Sequence, residues 1–234
     1  MAEKIFMINI PGIGLRKIPK IKVFRGFTLA EVLITLVIIG VIAAMTIPTL
    51  INKTNNQEYV SRLVKTYSTL SQGLNSIWQN NGVAPGDYEF LNSVDIIDEL
   101  AKVISVQKQC DTVNACLGVS LANTYKFLDN TKATGMTDGK TLITSDGQLY
   151  TYSDATSKFY GISAEDKDNA MGRFMIDVNG SKGPNKIGID TYIFYLIRGK
   201  GVIPSGIESN SNCARNKYGQ DCTGKVLREK AINY

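Results

Sequence analysis

The stretch that decides the fold covers residues 25–48 and reads RGFTLAEVLITLVIIGVIAAMTIP. Its 21 residues from 27 to 47 contain a single ionisable group, the carboxyl group of Glu31. At about 1.5 Å per residue, a helix of this length spans roughly 30 Å, the thickness of the hydrocarbon core of a bilayer. The run ends at Pro48 without the small-residue pattern of a secretory cleavage site, so we expect the apolar segment to be retained. A carboxyl group inside hydrocarbon is costly, so Glu31 needs a partner or a function.

Positive charge is concentrated before this stretch. Residues 1–26 hold six lysines and arginines and one glutamate, which equals the +5 net charge of the whole chain, so the rest carries no net charge. Basic residues before a first membrane segment keep that end in the cytoplasm, which predicts that the rest of the chain faces the periplasm or the exterior. Because phosphate contacts need clustered basic residues, the near-zero charge argues against nucleic-acid binding. Met1 and Met7 are both candidate start residues, and the sequence does not choose between them.

The hexapeptide Gly26-Phe27-Thr28-Leu29-Ala30-Glu31, followed by the apolar run and Pro48, resembles the class III signal of type IV prepilins and type II secretion pseudopilins. The resemblance implies that residues 1–26 are a leader, cut after Gly26 by a prepilin peptidase. It also implies N-methylation of Phe27 and packing of the retained helix, with its Pro48, into a filament core. Glu31 would meet the amino terminus of a neighbouring subunit, and an ion pair left half made in such surroundings is costly.

The same resemblance implies the partners and the location. The partners are other pilin or pseudopilin subunits, an inner-membrane platform protein, an assembly ATPase and the membrane itself. The chain is expected to cross the inner membrane once, with its head in the periplasm or outside, before it enters a filament.

Beyond Pro48, apolar residues recur every three or four positions as far as Trp78, which predicts an amphipathic helix with one buried face. We therefore expect one long helix, with a membrane half at 27–48 and an amphipathic half at 49–80, bent near the proline. The remaining residues, 81–234, form the head.

Strand signals lie at 141–144, 148–152, 173–178 and 192–197, where aromatic and β-branched residues are frequent. A helix is predicted at 94–105, followed by polar loops that contain two of the cysteines. An antiparallel sheet with one apolar face needs a cover, and the long helix supplies it. The fold class is thus α+β, with a long N-terminal helix on an antiparallel sheet, as in pilins.

Four cysteines and the absence of histidine limit the chemistry of the chain. The spacing does not favour zinc, and two local disulfides, Cys110 with Cys116 and Cys213 with Cys222, are the natural assignment in an exported domain. The four cysteines permit three disulfide pairings, and the sequence does not choose among them. Without histidine no Ser-His-Asp or Cys-His site can form, so we predict that the protein is not an enzyme. By resemblance, the second disulfide would bound the C-terminal region of the head.

The loop at 177–190 is the candidate metal site. Asp177, Asn179 and Asp190 offer the hard oxygen ligands that calcium prefers, and some pseudopilins bind calcium in this half of the domain. The loop is not an EF-hand, because Gly188 stands where a bidentate glutamate is required. The alternative is an Asn-Gly turn whose polar side chains bind backbone amides.

Two functions remain in view. The first is a structural filament subunit, either a pilin, a minor pilin or a pseudopilin. The second is a membrane-anchored periplasmic binding module that uses a pilin-like anchor and stays unassembled. The sequence leaves open whether the filament is a surface pilus, a DNA-uptake pilus or a secretion pseudopilus.

Overall fold

The computed structural model describes residues 26–118, 120–134, 139–154 and 159–234. It divides into two compact units, Met1–Thr49 and Leu50–Tyr234. Helix α1, Leu29–Asn80, contributes to both units and contains Pro48. The predicted leader, apart from Gly26, lies outside the described residues.

The amphipathic half of α1 packs on the head through one face. Tyr67 stacks on Phe194 of the sheet with 5.8 Å between ring centroids, and the Thr66 hydroxyl donates to Gln148 at 2.6 Å in a buried position. Near the end of the helix, the Trp78 indole donates to the carbonyl of Asp87 at 3.0 Å. The buried members of this face are Tyr59, Val60, Leu63, Thr66, Leu70, Gly73, Leu74, Ile77 and Trp78.

Short helices connect the long helix to the sheet. Asp87 and Asp95 precede the first two of them, and each carboxylate accepts backbone N–H groups of the first turn, which otherwise have no partner in a helix. The helix predicted at 94–105 is confirmed as the second of them, Ile96–Val103, whereas the first, Tyr88–Ser93, was not predicted. The short helices are α2 Tyr88–Ser93, α3 Ile96–Val103, α4 Val113–Leu117, α5 Leu121–Thr124, α6 Ala164–Asp168 and α7 Cys222–Glu229.

In the described part of the chain, six strands form one antiparallel sheet whose spatial order is the chain order. The α+β arrangement predicted from the sequence is confirmed. The first and last strands were not predicted, and Cys110 lies at the end of the first rather than in a loop. The strands are β1 Val106–Cys110, β2 Thr141–Thr144, β3 Leu149–Asp154, β4 Ala170–Asp177, β5 Thr191–Ile197 and β6 Gly201–Pro204.

Both faces of the sheet are buried, whereas the sequence predicted one. On the helix face, a row of aromatic side chains crosses three strands, because Tyr152 pairs with Phe174 and Phe174 pairs with Phe194. On the other face, Ile193 and Tyr195 of β5 join a second core with Tyr125. The segment between β1 and β2 thus covers the face that the helix leaves open.

The C-terminal segment returns to the sheet through a tight contact. Gly206 has φ +82°, and a Cβ atom there would lie 1.7 Å from the carbonyl oxygen of Asp221. Only glycine fits this backbone and this approach. The contact places α7 so that the Thr223 hydroxyl accepts the N–H of Ile193 at 3.0 Å.

The helix face supplies a stability prediction. Leu70 is fully buried in the main core, whereas Val64 of the same helix is 43% exposed. Leu70→Ala should lower the free energy of unfolding of the head by about 2–5 kcal/mol, because it leaves a cavity. Urea unfolding of the chain in a neutral detergent measures this.

Val64→Ala is the matched control and should cost less than about 0.5 kcal/mol. Equal losses from the two substitutions would contradict the proposed packing of the helix on the sheet.

Candidate functional site

The candidate site begins where the described chain begins. Gly26 and Phe27 precede helix α1, and the Phe27 side chain is 87% exposed. A Cβ atom built on Gly26 would have no atom within 4 Å, so no contact with the described residues explains a glycine there.

Thr28 and Glu31 form a capping box at the start of α1. The backbone N–H of Thr28 donates to Glu31 Oε2 at 2.8 Å, and the N–H of Glu31 donates to Thr28 Oγ1 at 3.2 Å. The Thr28 hydroxyl also donates to Glu31 Oε2 at 2.9 Å. This reciprocal pair satisfies backbone donors that the first turn of a helix leaves without a partner. Glu31 thus has a local role within its own chain.

The apolar part of α1 is a candidate membrane span. It is the one described helix that is long and apolar enough to cross a membrane by length and composition, and none of its most apolar window is buried. Its large apolar side chains, such as Leu36, Ile39 and Ile42, are more than half exposed. Such a surface calls for lipid or for other helices. Pro48 lies inside this helix, as predicted, where it removes one backbone donor.

Two disulfides form within the head, Cys110 with Cys116 and Cys213 with Cys222. They are the local pairs that the sequence favoured. The first ties the end of β1 to α4, where the Lys108 ammonium group also donates to the carbonyl of Cys116 at 3.0 Å. The second joins the C-terminal loop to the start of α7.

The loop at 177–190 brings two acids of the candidate metal site into the protein interior. Asp177 and Asp190 are both fully buried. Asp177 accepts the Tyr125 hydroxyl at 2.8 Å and the N–H of Asn179 at 3.1 Å. Asp190 accepts the N–H groups of Asn185 at 2.8 Å and Lys186 at 2.6 Å. Each carboxylate therefore holds the loop by hydrogen bonds, as the turn alternative predicts.

Burial raises the pKa of both of these acids. Burial is the main cause that raises the pKa of Asp177 well above its ordinary value, and the charge of Asp190 adds to the effect. Burial also raises the pKa of Asp190 to about 6, although the surrounding backbone N–H groups oppose the shift. Burial and the charge of Asp177 raise the pKa of Tyr125 in turn. Both carboxyl groups are therefore easier to protonate than a solvated aspartate.

Two amide oxygens nearby have no hydrogen-bond partner among the described residues. These buried atoms are Asn179 Oδ1 and Asn185 Oδ1. With the two carboxylates they make a set of hard oxygen donors, the chemistry that calcium prefers. However, no group of three or more histidine, cysteine, aspartate or glutamate side chains in the described ranges is placed to hold a metal ion. The donors thus fit calcium in kind, and their carboxylates already accept hydrogen bonds.

Tyr125 and Asn185 are site residues that sequence reasoning missed. Tyr125 lies 52 positions before Asp177, the carboxylate that it contacts, so no local motif connects them. Asn185 has φ +50°, an uncommon backbone conformation, but only the structure shows it.

Residues 21–47 match the family of the prokaryotic N-terminal methylation motif. The match covers the predicted cleavage point, the capping box and most of the apolar run. The chain therefore carries the N-terminal signal of type IV pilins and pseudopilins. No curated protein and no solved structure matches the chain.

The buried acids predict how stability depends on pH. The pKa of Asp190 is about 6 in the folded head and near 3.8 when unfolded. The folded state therefore binds the proton more tightly, and stability is lost as pH rises from about 4 to about 6. In metal-free buffer the head should be more stable at pH 5 than at pH 7.5, by about 1 kcal/mol from Asp190 alone. Unfolding by urea at the two pH values measures this.

Asp190→Asn should reduce this dependence, because the amide does not titrate. Asp168, an exposed residue, provides the control, and Asp168→Asn should leave the dependence unchanged. A head that gains no stability at pH 5 would contradict the assignment.

Proposed function

We propose that this chain is a structural subunit, a pilin, minor pilin or pseudopilin, of a type IV pilus or type II secretion filament. The methylation motif at residues 21–47 is the observation that carries the proposal. It indicates a pilin-like precursor, which is a structural protein rather than an enzyme. The exposed apolar helix supports assembly, because the same side chains that contact lipid in the membrane can contact neighbouring helices in a filament.

The geometry of the first turn suggests how processing prepares the subunit. Cleavage after Gly26 creates a charged amino group at Phe27. The peptide bond between Phe27 and Thr28 stays intact, so the N–H of Thr28 remains a hydrogen-bond donor. The capping box therefore survives cleavage. Glu31 uses Oε2 for the box, and no described residue donates to its Oε1. That oxygen can accept the amino terminus of a neighbouring subunit.

A positive amino group at a helix N-terminus is unfavourable, because the helix dipole places partial positive charge at the same end. A carboxylate from another subunit would relieve this cost, and an unpaired charge among apolar helices is expensive. Docking in one axial register therefore has a physical reason. The peptidase, the platform protein and the assembly ATPase belong to this proposal as the machinery that such subunits use.

The first test is mass spectrometry of the N-terminal peptide from membrane and sheared-surface fractions. The proposal expects N-methylated Phe27 as the first residue. Gly26→Leu should accumulate the uncut precursor, because the peptidase of this family needs a small residue before the cut. Gly40→Leu, a matched change in the open middle of the apolar helix, should still be cut. An intact leader in the native protein would contradict the proposal and favour the alternative function, a membrane-anchored binding module.

Substitutions in the capping box separate its two roles. Glu31→Gln keeps one oxygen acceptor for the box but removes the charge, whereas Thr28→Val removes the hydroxyl and keeps the charge. Because a half-made buried ion pair costs about 3–5 kcal/mol, Glu31→Gln should reduce filament incorporation more than tenfold. Thr28→Val should reduce it far less. The amount of subunit in sheared filaments measures this. Normal incorporation of the Glu31→Gln variant would show that assembly does not need the charge of Glu31.

Calcium binding at Asp177, Asn179 and Asp190 stays a prediction, now with Asn185 as a further oxygen donor. After treatment with a chelator, added calcium at about 100 times its Kd should stabilise the head by about 2.7 kcal/mol. A thermal melt with calcium, compared with magnesium, measures the shift. Asp177→Asn should abolish it, and Asp129→Asn, outside the loop, should not. The turn alternative predicts no shift for any of these proteins.

A further inference from the structure

Arg173 is a buried cation on the face of the sheet that helix α1 does not cover. It lies on strand β4, and only 4% of it is exposed. Met175, two positions further along the strand, belongs to the second core, and side chains two positions apart in a strand share a face. The Arg173 side chain therefore enters the same core. Arginine is almost never fully buried unless it has a partner.

No anion balances this charge within the described residues. None of the ion pairs in that part of the chain includes Arg173, and its guanidinium group donates no hydrogen bond there. Burial lowers the pKa of Arg173, and the groups that oppose this shift are the phenols of Tyr195 and Tyr160. Arginine nevertheless stays protonated in proteins. A buried charge without a counter-ion is costly, so Arg173 needs one.

The neighbours of Arg173 across the sheet carry hydroxyl groups. In the antiparallel register, Ser153 of β3 and Tyr195 of β5 stand directly opposite Arg173, one on each side. Opposite residues have Cβ atoms about 4.5–5.5 Å apart, so the three side chains share one region of the face. Ser153 and Tyr195 are buried as well. Among the described residues, neither hydroxyl donates a hydrogen bond to an acceptor.

The segment at 159–162 covers this region and fixes Tyr195. The N–H of Tyr160 donates to the Tyr195 hydroxyl oxygen at 2.9 Å, and the Phe159 ring meets the Tyr195 ring edge to face, with 5.1 Å between centroids. The Ser205 hydroxyl donates to the carbonyl of Tyr160 at 2.8 Å, which ties the segment to the end of β6. The Tyr195 oxygen thus accepts a hydrogen bond, and its hydrogen is left to donate.

The region therefore combines hydrogen-bond donors and positive charge. The guanidinium group presents its N–H groups in a fixed fork that matches two oxygens of a carboxylate or a phosphate. Water accepts hydrogen bonds but does not neutralise a charge, whereas an oxyanion does both. A group that is 4% exposed offers no surface to a polymer or a membrane, which restricts the ligand to a small ion.

We propose that Arg173, together with the hydroxyl groups of Ser153 and Tyr195, binds a small free oxyanion. The ion is inorganic phosphate or the carboxylate of a small organic acid, since both present the same pair of oxygens to the guanidinium group. The two hydroxyl groups donate to its remaining acceptor positions. The site lies in the head, outside the methylation motif at residues 21–47, so the inference does not rest on filament assembly.

The test measures thermal unfolding of the full chain in a neutral detergent, with chloride replaced by phosphate or acetate at constant ionic strength. An oxyanion at about 100 times its Kd should raise the Tm by roughly 5–10 °C, and the shift should saturate. Phosphate also stabilises proteins through exclusion from their surface, but that effect does not saturate. A saturable shift with phosphate alone identifies a phosphate site, and one with acetate alone identifies a carboxylate site.

Three variants separate the site from a structural role of Arg173. Arg173→Met should abolish the saturable shift and, in chloride, should not lower the Tm, because it removes a buried charge that has no counter-ion. Ser153→Ala should weaken the affinity about fivefold, the effect of one lost hydrogen bond. Arg198→Gln is the matched control, because Arg198 is exposed and pairs with Glu89, and it should keep the full shift.

Direct binding keeps the test decisive if Arg173→Met does not fold. Equilibrium dialysis of the native chain against radiolabelled phosphate, and in parallel against radiolabelled acetate, should show saturable binding that the unlabelled ion displaces. The proposal is overturned if neither ion binds saturably, or if Arg173→Met shows the same shift as the native chain.

Discussion

The proposed function depends above all on the apolar side chains of residues 29–49, which are exposed. Within the described chain, the most apolar window of this helix buries none of its surface. Water is an unfavourable solvent for such a surface, so it needs a bilayer or other helices. The head has no such need, since its sheet is covered on both faces. The apolar half of the helix therefore needs an apolar environment, whereas the head does not.

Glu31 is the one charged side chain in this apolar stretch, and its hydrogen bonds affect the cost of placing it near hydrocarbon. In a single chain, two hydrogen bonds from Thr28 hold its carboxylate, and the backbone N–H of Glu31 donates to the Thr28 hydroxyl oxygen. Hydrogen bonds lower the cost of placing a carboxylate near hydrocarbon, because they replace part of its hydration. They do not neutralise its charge. In the proposed assembly, the capping box lowers the cost of Glu31 in the membrane, and an opposite charge on a neighbouring subunit would favour transfer to the filament.

The sequence predicted the elements whose signal is local and strong. The aromatic and β-branched runs around Phe174 and Phe194 became β4 and β5, and the periodic stripe before Trp78 became the buried face of α1. Strand β1 was missed because its Gln107, Lys108 and Gln109 are exposed and polar, as they can be on an edge. Strand β6 was missed because it is short and ends in a proline. Both depend on their neighbours rather than on their own composition.

The functional features also divide into those with a local sequence signal and those formed by distant segments. The signal at Gly26 to Glu31 is contiguous, so the sequence alone predicts it. Contacts such as that of Tyr125 with Asp177 join distant segments, and no periodicity announces them. The hydrogen-bond donors of the acidic loop also come from backbone whose conformation the sequence does not display.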